Sequence, residues 1–327
     1  MGNPQYTIKR KIPAQAIVEN GQPSFDIPRG YDIASIGIRL FANVQVTTAG
    51  TAVRAEAPAQ LIKRVELTAD GKNTIASFPM VLLNRGNPFR RGGQLGSLTA
   101  PTAAAIATYP VMASAFLDQQ LVDGIRAKDS DLRTEGMSAL SMRFTYGAAN
   151  DLFTGGVVSL VVAASGFVNT WLYEYVELSG ADGQRASPLY LLKRSYQDLA
   201  FAASNANLDI PLPVGNVMRG VVLRGEGSVT IQEPADNVIN NVILRSNQDV
   251  RLNIPYLDLR EANKMDYSPS SLPVGIVHAD MMALGSESGI HAADGWDLTG
   301  ATQATLTLDV TGAANTKVTI GTIELVR

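Results

Sequence analysis

Cysteine is absent from the 327 residues, so disulfide staples, thiolate metal sites and cysteine nucleophiles are all excluded. Histidine occurs only at His278 and His291. His278-Ala279-Asp280 is a metal-like pairing, but two ligands at that spacing fall short of a site, and a structural histidine is the plainer reading. Charged residues make up 17% of the chain, below the usual figure of about a quarter; low surface charge is common where surface is buried against copies of the same chain. The net charge is −3 and the pI about 5.5. A protein that coats nucleic acid needs clustered Lys and Arg instead. The longest apolar run, residues 157–168, is interrupted by Ser159, Ser165 and Gly166. It is too short to cross a bilayer as a helix and reads as a buried strand. Residues 1–6 are polar with no apolar stretch behind them, so no secretory leader is expected.

What is present is hydrophobic and alternating. Apolar residues are 46% of the total, enough for real cores, and the length suits two domains. Ile36, Ile38, Leu40, Ala42, Val44 and Val46 alternate with Gly37, Arg39, Phe41, Asn43 and Gln45. Leu140, Met142, Phe144 and Tyr146 alternate with Ser141, Arg143 and Thr145, and Leu306, Leu308 and Val310 with Thr305, Thr307 and Asp309. A period of two places successive side chains on opposite faces of a strand. Asn20-Gly21, Asp70-Gly71 and Thr311-Gly312 supply turns between such runs. Short strands with frequent turns argue for sandwiches or barrels. Two segments break the pattern. Residues 102–121 are Ala-rich and predict short helices on either side of Pro110; residues 257–265 predict another helical turn or two.

The chain also repeats itself. Ile8-Lys9-Arg10 and Phe25-Asp26-Ile27-Pro28 correspond to Leu192-Lys193-Arg194 and Leu208-Asp209-Ile210-Pro211. Gly37 and Leu40 correspond to Gly220 and Leu223. The proline-led run 58–67 matches 234–244. Residues 139–150 match 304–315, both ending Gly-Ala-Ala-Asn. Each of these last blocks is followed by one more apolar strand, 157–164 in the first half and 318–326 in the second. Four matches in one order point to a duplicated unit.

Eight or so strands per half, duplicated in one chain and entered each time through Phe/Leu-Asp-Ile-Pro, resemble the double jelly-roll major capsid proteins of tailless icosahedral, membrane-containing bacteriophages of the corticovirus and tectivirus kind. The resemblance covers nearly the whole chain, with a junction near 168–188. It implies an all-β fold of two tandem eight-stranded jelly-roll barrels with short helical excursions, residues 1–168 and 169–327. It implies a structural, non-enzymatic protein forming pseudo-hexagonal homotrimers that tile a virion shell. The partners it implies are neighbouring trimers, penton and minor capsid proteins and an internal lipid membrane, without sequence-specific nucleic-acid binding. The second half is shorter than the first, and residues 171–178 have no evident counterpart.

Two basic clusters stand out, Lys9-Arg10-Lys11 and Arg85 with Arg90-Arg91. The plainer reading is solvated strand-edge charge; the sharper one, for Lys9, Arg10 and Lys11, is contact with lipid headgroups or a neighbouring subunit. An enzyme reading finds little. There is no Gly-x-Ser-x-Gly elbow and no phosphate-binding loop. Glu174 and Glu177 beside Trp171, Tyr173 and Tyr175 could imitate a glycosidase carboxylate pair with sugar-stacking rings, but an aromatic strand face is the simpler account. Asp151, Asp182 and Asp294 lie in turn-like contexts, where Asp ordinarily bonds nearby backbone. No pattern demands a cofactor or metal. The alternative function is a phage spike, receptor-binding or carbohydrate-binding β-sandwich protein. Aromatics at 6% and the lack of a coiled-coil or fibrous repeat weigh against it.

Overall fold

The computed structural model describes residues 5–48, 52–86, 98–99, 106–119, 130–154, 158–160, 166–177, 191–227, 233–267, 272–281 and 295–326. Packing divides the chain into two compact units, Met1–Asn84 with Gly96–Lys193, and Arg85–Leu95 with Arg194–Arg327.

The sheets of the first unit are built from β1 (Gln5–Ala16), β2 (Ser24–Asp26), β3 (Asp32–Val46), β4 (Ile62–Ala69), β5 (Asn73–Phe78), β6 (Ala107–Asp118), β7 (Leu140–Tyr146) and β8 (Phe167–Glu177). They pair antiparallel as β1-β8-β3-β6 and β2-β7-β4-β5. The second unit repeats the arrangement with β9 (Leu191–Phe201), β10 (Asn205–Leu212), β11 (Val217–Glu226), β12 (Ile239–Ser246), β13 (Asp249–Pro255), β14 (Ile276–Asp280), β15 (Ala304–Val310) and β16 (Thr316–Val326). Its orders are β9-β16-β11-β14 and β10-β15-β12-β13. Counted within each unit, both read 1-8-3-6 and 2-7-4-5. That is an eight-stranded jelly roll made twice.

The alternation decides which side of each strand is core. Ile36, Ile38, Leu40, Ala42 and Val44 are fully buried, as are Val111, Ala113, Ala115 and Leu117 on the neighbouring β6. Burying a side chain of Val or Leu size contributes roughly 1.5–3 kcal/mol, so a strand with four or five of them is held firmly to one face. In the second unit Val221, Leu223, Val242, Leu244, Leu306, Leu308, Val318 and Ile320 form the equivalent core. Asp70-Gly71 closes the β4–β5 hairpin with both residues at positive φ, 52° and 71°, the backbone that tight hairpin turns require.

Three sequence expectations change. The boundary expected between residues 168 and 169 falls inside β8, whose pairing with β1 and β3 ties it to the first unit; the units divide after Lys193. The counterpart of β16 is likewise β8. Of the run 157–164, Val158–Leu160 is a short strand on the end of β3. Residues 171–178, which had no evident partner segment, thus fall largely within the repeat. Lastly, among the described residues 106–119 no helix flanks Pro110: β6 runs straight through it, because Val111, Ala113, Ala115 and Leu117 alternate strictly with Met112, Ser114 and Phe116, and burial along a strand overrides alanine's helix preference. The helix expected over 257–265 is present as Tyr256–Tyr267, and a shorter one spans Met80–Gly86; they are α2 and α1.

The repeat extends to detail that sequence matching does not reach. On β3, Ala34 bulges out where Tyr173 and Glu174 of β8 meet Ser35 and Ile33. On β11, Arg219 bulges where Ile323 and Glu324 of β16 meet Gly220 and Met218. The glutamate beside each bulge is buried, Glu174 at 0% and Glu324 at 1% exposure. This alignment pairs Gly37 with Val222 rather than with Gly220, a slip of two residues that leaves every side chain on its own face. In both units a helix asparagine also bonds the backbone of the outermost long strand, which in the first unit pairs as well with Leu98–Thr99. The buried Asn84 of α1 donates to the Ser114 carbonyl on β6 at 2.6 Å. In the second unit Asn263 of α2 accepts from the His278 N–H and donates to the His278 carbonyl on β14, both at 2.8 Å.

Candidate assembly surfaces

Lys9, Arg10 and Lys11 do not act as one cluster, because the pleat of β1 turns them to alternate sides. Arg10 lies against the buried Glu174, Nε to Oε2 3.1 Å, and over the Tyr31 ring at 5.5 Å. Burial pushes the Glu174 carboxyl above the ordinary carboxylate range, and the Arg10 guanidinium opposes it. Arg10 is thereby committed inside its own unit.

Lys9 and Lys11 are exposed on the other side of β1. The Lys9 ammonium sits 5.4 Å from the Trp171 ring centre and 5.2 Å from that of Tyr173, within cation–π range. Phe116 of β6 completes the group, edge-on to Trp171 at 6.2 Å and tilted against Tyr173 at 6.0 Å. Further along, Phe41 and Phe167 stack at 5.5 Å. These rings are half-buried on the outward side of β8, β3 and β6. Gly37 makes the patch possible. It pairs directly with Trp171, and a Cβ there would lie 2.3 Å from the indole ring, so the ring lies flat on the glycine backbone. A glycine in the middle of an otherwise apolar–polar alternation was the available sequence signal for such a close approach.

The same sheet side in the second unit is charged and closed. Arg224 and Lys317 both contact the Glu226 carboxylate, at 2.6 and 2.8 Å. Burial pushes Glu226 up, but the two cations outweigh it and hold the carboxyl below its ordinary value. His278 is buried beside Val222. Its Nδ1 lies 3.3 Å from the Tyr267 hydroxyl, which in turn donates to Asp280. His278 is thus a packed strand residue, and among the described residues no group of three or more His, Asp or Glu side chains is placed to hold a metal. His291 lies outside the described residues.

The remaining sequence candidates resolve simply. Asp151 accepts from the Ala148 N–H at 2.9 Å and pairs with Lys63 at 2.9 Å, the turn role expected of it. Asp182, Asp294, Arg90 and Arg91 lie outside the described residues; Arg85 lies in the last turn of α1. Glu174 faces the core while Trp171 and Tyr173 face outward, so an acid and sugar-stacking rings do not share a pocket. The exposed face of α2 drew no attention in the sequence. It presents Leu257 and Met265, 62% and 75% exposed, among the exposed Asp258, Glu261 and Lys264.

No family model matches the sequence, and no curated protein matches it significantly. Solved structures do match, end to end. The STIV major capsid protein superposes with a TM-score of 0.75 at 14% identity over 98% of this chain and 97% of that one. The PBCV-1 VP54 gives 0.65 at 11% over 99% and 94%. The major capsid protein P2 from bacteriophage PM2 gives 0.61 at 12% over 98% of both chains. The chain therefore has the double jelly-roll fold, in the form found in viral major capsid proteins.

Proposed function

We propose that this chain is a major capsid protein, a structural subunit that self-associates into trimers of pseudo-hexagonal outline and tiles an icosahedral virion shell. The observation that carries the reading is the repetition of one jelly roll within a single chain, down to strand order, bulge and buried glutamate, with both copies spanned by capsid proteins from end to end. Two similar barrels give three subunits six similar wall segments, which lets an object with three-fold symmetry occupy six-fold lattice positions. The low charged fraction agrees with a surface largely buried in such a lattice. Penton and minor capsid proteins and an internal membrane belong to this reading as further partners. The test is sedimentation velocity with negative-stain microscopy of the purified chain. Trimers with a hexagonal outline, or closed shells, are expected; a chain that stays monomeric at all concentrations refutes the proposal.

A further inference from the structure

We infer that the aromatic, basic outer face of the first unit is one half of a subunit joint, and that its other half is the exposed face of α2 on a second copy of this chain. The inference rests on the self-assembling reading above and specifies which surfaces meet.

The first half has the composition of an interface centre. Trp171, Tyr173 and Phe116 form one packed group under the Lys9 ammonium. Trp and Tyr are the residues that most often carry association energy, and they lose little side-chain entropy when covered. Among the described side chains around them, the exposed charges are Lys9, Lys11 and Arg39, all positive. The second half is opposite in kind. Leu257, Glu261 and Met265 recur at four-residue spacing along α2 and so lie on one helix face. Both apolar members stand far out of the protein. Asp258 and Glu261 flank them, and the neighbouring cation, Lys264, is already paired with Glu261. The cation that could offset Asp258, Arg260, is turned inward to the carbonyls of Leu272 and Pro273 and to Asp236.

One face is basic and aromatic; the other is acidic and aliphatic. Neither complements itself, because like charges would meet. A contact between them is therefore heterologous, joining the first unit of one copy to the second unit of the next. Such head-to-tail contacts close into rings when the rotation allows.

Charge reversal tests the pairing. Lys9→Glu with Lys11→Glu, and separately Asp258→Lys with Glu261→Lys, are expected to weaken self-association of the full chain by at least about tenfold in sedimentation velocity, and the four changes together to restore it to within about threefold. Thermal melts check that each variant is folded. Because the parent has no cysteine, a second measurement is independent of affinity: chains carrying Lys9→Cys, mixed with chains carrying Glu261→Cys and oxidised, are expected to yield a disulfide-linked heterodimer. A parent that remains monomeric refutes the shell reading itself. A parent that assembles while both reversed variants assemble equally well, or while the fourfold variant fails to recover, overturns this pairing and leaves the shell reading standing. Loss of binding to phosphatidylglycerol vesicles by the Lys9/Lys11 variant, with assembly unchanged, overturns it in favour of a lipid partner.

Discussion

Replacing Asn263 by alanine is expected to weaken the second unit severely for so small a change. The side-chain amide makes two bonds to the backbone of His278, both 2.8 Å, and the two residues are only 2% and 4% exposed. Alanine removes both bonds from buried backbone groups. Each such loss costs about 1–3 kcal/mol, which gives about 2–6 kcal/mol together, with the lower end reached if water enters the vacated volume. Asn84→Ala removes the bond to the Ser114 carbonyl and is expected to cost the first unit at least about 1–3 kcal/mol. Asn263→Asp refines the test. A carboxylate still accepts from the His278 N–H but sets a second acceptor against the His278 carbonyl, whereas the protonated acid can donate there. Its folded pKa is therefore raised above the unfolded value. The stabilising contribution is fully present below the unfolded pKa of about 3.9 and is lost as pH rises through the folded one. Urea unfolding followed by circular dichroism, with hydrogen exchange on β14 to place the effect, measures all three. An Asn263→Ala variant within about 0.5 kcal/mol of the parent, the range of an ordinary surface change, would refute the reasoning.

Arg10→Met leaves Glu174 buried without its cation and is expected to cost about 3 kcal/mol, the low end for breaking a buried pair because Arg10 is itself one-third exposed. Glu174 titrates above the ordinary range, so the deficit in urea melts should grow as pH rises through that raised value and shrink in acid. Glu226 has a lowered folded pKa, so its contribution is present above the unfolded value of about 4.3 and is lost as pH falls through the lowered one; Glu226→Gln should flatten the acid limb of the stability–pH curve. Gly37→Val forces the Trp171 ring off its strand and is expected to cost about 1–3 kcal/mol. The displaced ring should show in the fluorescence of a Trp296→Phe background, and an unchanged spectrum with unchanged stability would remove the proposed close packing.

The interiors were legible in the sequence because burial imposes a period of two, and β3, β7 and β15 carry it openly. The repeat was legible where the two copies kept the same residues at their entries and turns. It failed at β8, where Trp171, Tyr173 and Tyr175 stand in a strand whose counterpart carries Gly321, Ile323 and Leu325. The copies share a strand position and a buried glutamate, but their outer faces diverged. Composition misled over Ala107–Asp118, because alanine signals helix only when nothing else competes. The basic cluster at residues 9–11 read as one site because charge is visible in sequence, while its division between two sides of β1 depends on the pleat. The two helix asparagines had no local signal: their partners are 30 and 15 residues away.

Those asparagines bear on what the sheet can bind through its backbone. An open strand edge invites another strand, from a second copy of the same chain as readily as from any other. At β14 the end of the sheet is occupied by an amide carried on a helix, which satisfies backbone groups without offering new ones. Addition of a further strand is blocked there, which closes one route into fibrous aggregates and leaves that end of the sheet to side-chain contacts.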